Sequence, residues 1–208
     1  MLRTPDRFYP IVDSVAWVER LVRLGVRTVQ LRAKGLGHEE ATAAIRACLA
    51  VTVPAGVQLI VNDYWRAAID AGAGHLHLGQ EDLAEADLPA IRRAGLTLGV
   101  STHDGEELER ALAARPDYVA LGPIWPTTLK VMRFGPQGLA RIGEWKRRVG
   151  AMPLVAIGGI TLERAPDVFA AGADSIAVVS DVTMNPDPDA RVRAWLALAH
   201  GQARRDPA

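Results

Sequence analysis

LVAIGGITLERAPDVFAAGADSIAVVS, residues 154–180, holds two unbroken apolar runs, LVAI and SIAVV, on either side of a helix-like segment at 162–171. Neither run alternates polar with apolar residues, as a strand with one wet face would. Each therefore reads as a strand covered on both faces, the condition of a parallel sheet. The glycine in AGAD, just before SIAVV, can take the left-handed conformation that ends a helix and turns the chain back. The unit is strand, helix, strand.

The same unit recurs outward in both directions. Strand candidates are FYPIV (8–12), TVQL (28–31), QLIV (58–61), HLHL (75–78), LTLGV (96–100), YVAL (118–121), LVAI (154–157) and SIAVV (175–179). Helix-like segments follow them at 16–24, 39–51, 65–71, 87–94, 106–114, 139–149, 162–171 and 189–199. Glycine stops precede several strands, as in LGVRTVQL, AGAGHLHL and AGLTLGV. Eight βα units in a chain this short predict an α/β protein with a small (β/α)8 TIM barrel. A doubly wound open sheet usually has fewer strands and leaves the eightfold count unexplained. No linker divides the chain, so residues 1–200 are expected to form one compact catalytic domain, with a disordered tail at 201–208.

Composition bounds the function. The chain has 208 residues, 49% of them hydrophobic and 23% charged, as in an ordinary soluble domain. Lys plus Arg at 24 balances Asp plus Glu at 24, so no overall field recruits nucleic acid or an anionic membrane, and any anion site must be local. No stretch approaches the roughly 18 apolar residues of a membrane span, and a cytoplasmic setting is expected. The lone cysteine, Cys48, lies in the apolar run ATAAIRACLAV and reads as a core residue.

In a TIM barrel the reactive groups sit after the C-terminal ends of the strands. There the chain places Gln30, Arg32 and Lys34; Asn62 and Asp63; His77, Gln80, Glu81 and Asp82; Ser101 and His103; Thr127, Thr128 and Lys130; Gly158 and Gly159; and Ser180. Alternation along QLRAK (30–34) puts Gln30, Arg32 and Lys34 on one side, which favours anion binding over a pair of solvated charges. Asp63 and Asp82 are either helix or turn caps or a magnesium pair. His75 and His77 point the same way, but no third ligand has zinc spacing. The paired glycines of AIGGI free backbone N–H groups for a phosphate, or simply make a tight turn. There is no Walker A loop and no GxGxxG, so ATP hydrolysis and dinucleotide binding have no support.

QLRAK, VNDYW, HLHLGQEDL, LGVSTHD, GPIWPTTLK, VAIGGI and AVVS occur in an order and spacing that resemble the thiamine phosphate synthase family, over about residues 9–180. The resemblance implies a transferase that joins 4-amino-2-methyl-5-(diphosphooxymethyl)pyrimidine to 4-methyl-5-(2-phosphoethyl)thiazole, giving thiamine phosphate and diphosphate. It implies that Gln30, Leu31, Arg32, Ala33, Lys34, Asn62, Ser101 and Lys130 hold the pyrimidine diphosphate, with Tyr9 and His77 near the pyrimidine ring. Asp63 and Asp82 would hold one magnesium per subunit. Thr127, Thr128, Leu129, Gly158, Gly159, Val179 and Ser180 would meet the thiazole phosphate. Arg32, Lys34, Ser101 and Lys130 would carry the catalysis, which is dissociative and needs no strong general base. One position departs from the family pattern: Leu129 stands where a threonine is usual, which removes a hydroxyl from the phosphate-facing loop.

A thiazole tautomerase-like isomerase on the same barrel and a non-catalytic thiamine-precursor binding protein are the rival expectations. Homo-oligomerisation is left open. Both Ser101→Ala and Lys130→Ala are expected to lower turnover by ~10²–10³, the loss typical of removing one preorganised donor, while thermal melting stays close to wild type. Normal turnover in both variants contradicts the role assignment.

Overall fold

Eight strands pair in parallel, each with the next and the last with the first, in the computed structural model, which describes residues 4–127 and 135–201. The strands are β1 (Phe8–Val12), β2 (Thr28–Leu31), β3 (Gln58–Asn62), β4 (His75–Leu78), β5 (Thr97–Thr102), β6 (Tyr118–Leu121), β7 (Leu154–Ile157) and β8 (Ser175–Val178). Helices α1 (Val15–Arg23), α2 (His38–Thr52), α3 (Trp65–Ala71), α4 (Gln80–Glu85) and α5 (Leu88–Arg93) cover the first half of the ring. The second half carries α6 (Gly105–Ala113), α7 (Gly138–Val149), α8 (Ala165–Ala170), α9 (Ser180–Thr183) and α10 (Pro188–Gly201). The expected (β/α)8 barrel is present. Of the tail expected at 201–208, only Gly201, the last residue of α10, falls within the described residues.

Each strand alternates strictly, although its sequence does not show it, because both faces are buried. Phe8, Val12, Leu59, Val61, Val119, Leu121, Leu154 and Ala156 pack outward under the helices, whereas Tyr9, Ile11, Ile60, Tyr118, Ala120, Val155 and Ala177 form a separate cluster inside the ring. The outer layer is anchored by two fully buried tryptophans, Trp145 on α7 and Trp195 on α10. Each indole removes roughly 150–250 Å² from water, worth at most about 4–6 kcal/mol at ~25 cal/mol per Å². Each also has its N–H satisfied, by Thr102 Oγ1 at 2.9 Å and Asp181 Oδ2 at 2.8 Å. Cys48 lies wholly buried in α2, where burial and the nearby Glu19 push its thiol up to about 12, as fits a core residue.

Three differences from the sequence expectations bear on the rim. β5 runs on to Thr102, so Ser101 belongs to a rigid strand rather than to a loop. Two short helices, α4 and α9, start directly at strand ends. Their polar sequences QEDLAE and SDVT have no apolar periodicity to reveal them. α8 begins only at Ala165, because Pro166 has no N–H to donate and sits best in a first turn.

Gly99 fixes the interior. A Cβ at this position would lie 2.0 Å from Tyr118 Cζ, so the ring of Tyr118 occupies the space that any other residue at 99 would fill. Gly99→Ala is expected to destabilise the protein by at least ~1–3 kcal/mol through overpacking, read as a lowered urea midpoint. An unchanged midpoint would show that the ring has room to move.

Candidate functional site

QLRAK leaves β2 at the rim with its backbone still attached to the sheet: Arg32 N–H donates to Val12 O at 2.7 Å, one residue beyond the strand. Across from it, VNDYW turns sharply. Asp63 has φ +64°, with its N–H on His77 O at 2.9 Å, and Tyr64 N–H returns to Asn62 O at 2.8 Å. A left-handed non-glycine residue in so tight a turn stores about 1–3 kcal/mol, and such strain gathers at functional sites; aspartate tolerates it better than most. Tyr64 then ties this turn to the loop that follows QLRAK, its hydroxyl accepting from Leu36 N–H at 3.0 Å.

The turn aims Asp63 at Asp82 in the first turn of α4. Burial foremost, and then the charge and hydrogen bond of Asp82, raise the Asp63 carboxyl to about 6, while Arg32 and Lys34 pull it back down. Two carboxylates and two cations thus meet at the ends of β2, β3 and β4. Gln80, beside them, donates to Ser101 O at 2.7 Å and fastens α4 to β5.

Inside the ring a chain of hydrogen bonds runs across the barrel. Gln30 Nε2 donates to Tyr9 Oη, Tyr9 Oη meets Tyr118 Oη at 3.1 Å, Tyr118 Oη meets His77 Nδ1 at 2.9 Å, and His77 Nε2 meets Ser101 Oγ at 2.8 Å. Burial, helped by the Arg32 charge, lowers His77 to about 4, so its imidazole is neutral at physiological pH. Burial also raises both phenols, which therefore keep their protons. Asn62 points inward beside His77, its partner in the β3–β4 register, and is 6% exposed.

On the opposite rim, Gly158 and Gly159 take φ +96° and +66°. A Cβ on Gly158 would meet Pro123 at 2.7 Å, and one on Gly159 would meet Trp125 Cβ and Pro126 O at 2.7 Å. The glycine pair is therefore demanded by packing of the loop after β6 against the loop after β7, whatever phosphate it also meets. Arg164 secures the contact, donating to Gly159 O at 2.6 Å with its guanidinium 4.9 Å from the Trp125 ring. Thr127 is half-buried in the same loop, and Val179 and Ser180 sit where β8 passes into α9.

The structure thus gathers Gln30, Tyr9, His77 and Ser101 into one chain, and Arg32, Lys34, Asp63 and Asp82 into one charged cluster. Leu31 packs outward beneath the helices, so only its peptide groups face the rim, and Ala33 packs on the same layer. Thr128, Leu129 and Lys130 lie outside the described residues. Tyr118, Gly99, Tyr64 and Arg164 were not legible as site residues. Tyr118 opens the apolar run YVAL, and nothing marks it as facing inward except its two-residue spacing from Ala120.

The donor set fits magnesium. Both His77 nitrogens are already engaged, by Tyr118 Oη and Ser101 Oγ. Magnesium needs only one or two carboxylates, with substrate phosphates and water completing its shell. Burial first, and Asp82 second, make Asp63 reluctant to ionise, while Arg32 and Lys34 act against both.

The family model of thiamine monophosphate synthase matches residues 5–182. The chain is 65% identical over 192 residues to a thiamine-phosphate synthase of Rhizobium etli, covering 92% of this chain and 94% of that one. It is 48% identical over 200 residues to a thiamine-phosphate synthase of Neisseria meningitidis serogroup A, covering 96% and 98%. Among solved structures it is similar to a thiamine phosphate pyrophosphorylase from Pyrococcus furiosus, with TM-score 0.80 and 26% identity over 97% of this chain and 98% of that one.

A carboxyl group whose pKa rises on folding binds its proton more tightly in the folded state, so its contribution to stability falls as pH climbs from the ordinary carboxylate range through about 6. Without divalent cation, Asp63→Asn is therefore expected to melt above wild type at neutral pH, with the difference narrowing toward pH ~4. Equal melting at neutral pH contradicts the burial and crowding that raise the Asp63 carboxyl.

Proposed function

The chain belongs to the thiamine monophosphate synthase family, and from that premise we propose that it joins 4-amino-2-methyl-5-(diphosphooxymethyl)pyrimidine to 4-methyl-5-(2-phosphoethyl)thiazole, forming thiamine phosphate and releasing diphosphate. As in its curated relatives, the activity is that of a transferase enzyme. The observation that supports these substrates best is the meeting of Arg32 and Lys34 with the Asp63–Asp82 pair at adjacent strand ends, which suits a metal-bound diphosphate.

In the proposed mechanism the bond from the pyrimidine methylene carbon to oxygen breaks first, and its electron pair leaves with the diphosphate. The methylene cation is stabilised by donation from the aminopyrimidine ring. The thiazole nitrogen then supplies its lone pair to form the new carbon–nitrogen bond, and no proton need move. Negative charge grows on the diphosphate as the bond lengthens, so Arg32 and Lys34, with Lys130 from the sequence, hold the transition state more tightly than the substrate. Ser101 donates a hydrogen bond to the same group. Asp63 and Asp82 would hold magnesium, whose chemistry is to supply positive charge to the diphosphate.

The interior protects the cation from water. Tyr9, Ile11, Ile60, Tyr118, Val155 and Ala177 close the barrel beneath the rim with a buried, largely apolar floor. The thiazole phosphate is assigned to Thr127 and the Gly158–Gly159 turn, across the mouth from Arg32 and Lys34. Among the described residues no helix is long and apolar enough to cross a membrane.

Mixing the purified protein with both substrates and magnesium is expected to yield thiamine phosphate and diphosphate in equal amounts. A chelator should stop the reaction, and Arg32→Ala should slow it by ~10²–10³. Isomerisation of the thiazole with no need for the pyrimidine substrate, or binding of both substrates without product, contradicts the proposal.

A further inference from the structure

We propose that Tyr118 is a positioning residue for this reaction: through His77 it sets the polarity of the buried hydrogen-bond chain so that the hydroxyl proton of Ser101 points into the diphosphate site. The inference rests on the function proposed above and adds a residue that no sequence motif marks.

The polarity follows from counting donors. The Gln30 amide gives a proton to Tyr9 Oη, which leaves Tyr9 its own O–H to direct at Tyr118 Oη. Tyr118 keeps one O–H, and giving it to His77 Nδ1 places the single proton of the neutral imidazole on Nε2. That leaves His77 Nε2–H for Ser101 Oγ. With its oxygen already accepting, Ser101 has its own proton to give, and the rim is where an unmet acceptor would lie. In the opposite polarity Ser101 would spend its proton on Nε2 and face the diphosphate with lone pairs, which repel a polyanion.

Three features hold Tyr118 to this task. Its ring fills the notch at Gly99, it lies nearly parallel to the His77 ring with centroids 5.6 Å apart and an interplanar angle of 26°, and it is 2% exposed. Water cannot readily stand in for its hydroxyl. A hydroxyl presented to a charged acceptor makes a bond about twice as strong as a neutral one, so the direction of a single proton is worth a measurable factor in affinity and rate.

Tyr118→Phe keeps the ring that fits Gly99 and deletes only the link. We expect calorimetric titration with inorganic diphosphate and magnesium to show at least ~5-fold weaker binding in Tyr118→Phe than in wild type. Turnover should fall ~10-fold, with KM for the thiazole phosphate changing less than about twofold. Losses in Tyr118→Phe and Ser101→Ala should not add in the double variant, because both remove the same donor. Tyr9→Phe, one link farther away, should show a smaller loss of the same kind. Wild-type diphosphate affinity in Tyr118→Phe, or fully additive losses, overturns the relay alone. A wild-type protein that binds no diphosphate overturns the proposed function and the relay together.

Discussion

Pairing of Phe8, Tyr9 and Pro10 with Ile176, Ala177 and Val178 closes the ring, and the site exists only because it does. Groups far apart in the chain, Arg32 and Asp63 on one rim and Gly158 and Ser180 on the other, share one face once β1 and β8 are neighbours. The seam is secured by parts distant in sequence. Ile176 N–H donates to Arg7 O at 2.9 Å, Ser175 Oγ donates to Asp6 O at 2.6 Å, and His200 of α10 pairs with the Asp6 carboxylate at 2.9 Å. Phe8 stacks on Trp195 at 5.2 Å, and Arg191 bridges Asp181 and Glu163, tying α10 to α9 and to the turn before α8. The last helix is thus the clasp of the barrel.

Within that ring, stability and function pull against each other at identifiable places. An apolar interior would be simplest to bury, yet this one carries Gln30, His77 and Ser101 among its inward residues, each satisfied by a neighbour so that the usual penalty of about 1–3 kcal/mol for an unmet buried polar group is avoided. The rim is less comfortable. Asp63 combines a left-handed backbone with a carboxyl group that is buried and crowded by Asp82, so two costs fall on one residue at the strand ends. The Gly158–Gly159 turn makes the complementary point. What looks like a phosphate cradle in sequence is first a packing requirement, since Pro123 and Trp125 occupy the space above it.

Much of this was legible in the chain. Five strands, TVQL, HLHL, YVAL, LVAI and FYPIV, fall on the residues read from their apolar runs, because glycine stops and polar strand ends bracket them sharply. Positions at the strand ends were likewise readable, since barrel topology assigns them by order alone. Three kinds of information were hidden. Inward and outward faces could not be separated in strands apolar on both sides, which concealed Tyr118. Polar helices of one or two turns, α4 and α9, carry no periodic signal. Contacts between loops, such as Arg164 on Gly159 and Tyr64 on Leu36, depend on how distant segments meet and leave no local mark.

A crystal structure of the protein with magnesium and inorganic diphosphate tests the arrangement of the site most directly. The account predicts a metal bound by Asp63 and Asp82, with diphosphate oxygens within hydrogen-bonding distance of Arg32, Lys34 and Ser101 Oγ. Diphosphate bound elsewhere on the barrel, or Asp63 and Asp82 without a shared cation, would contradict it.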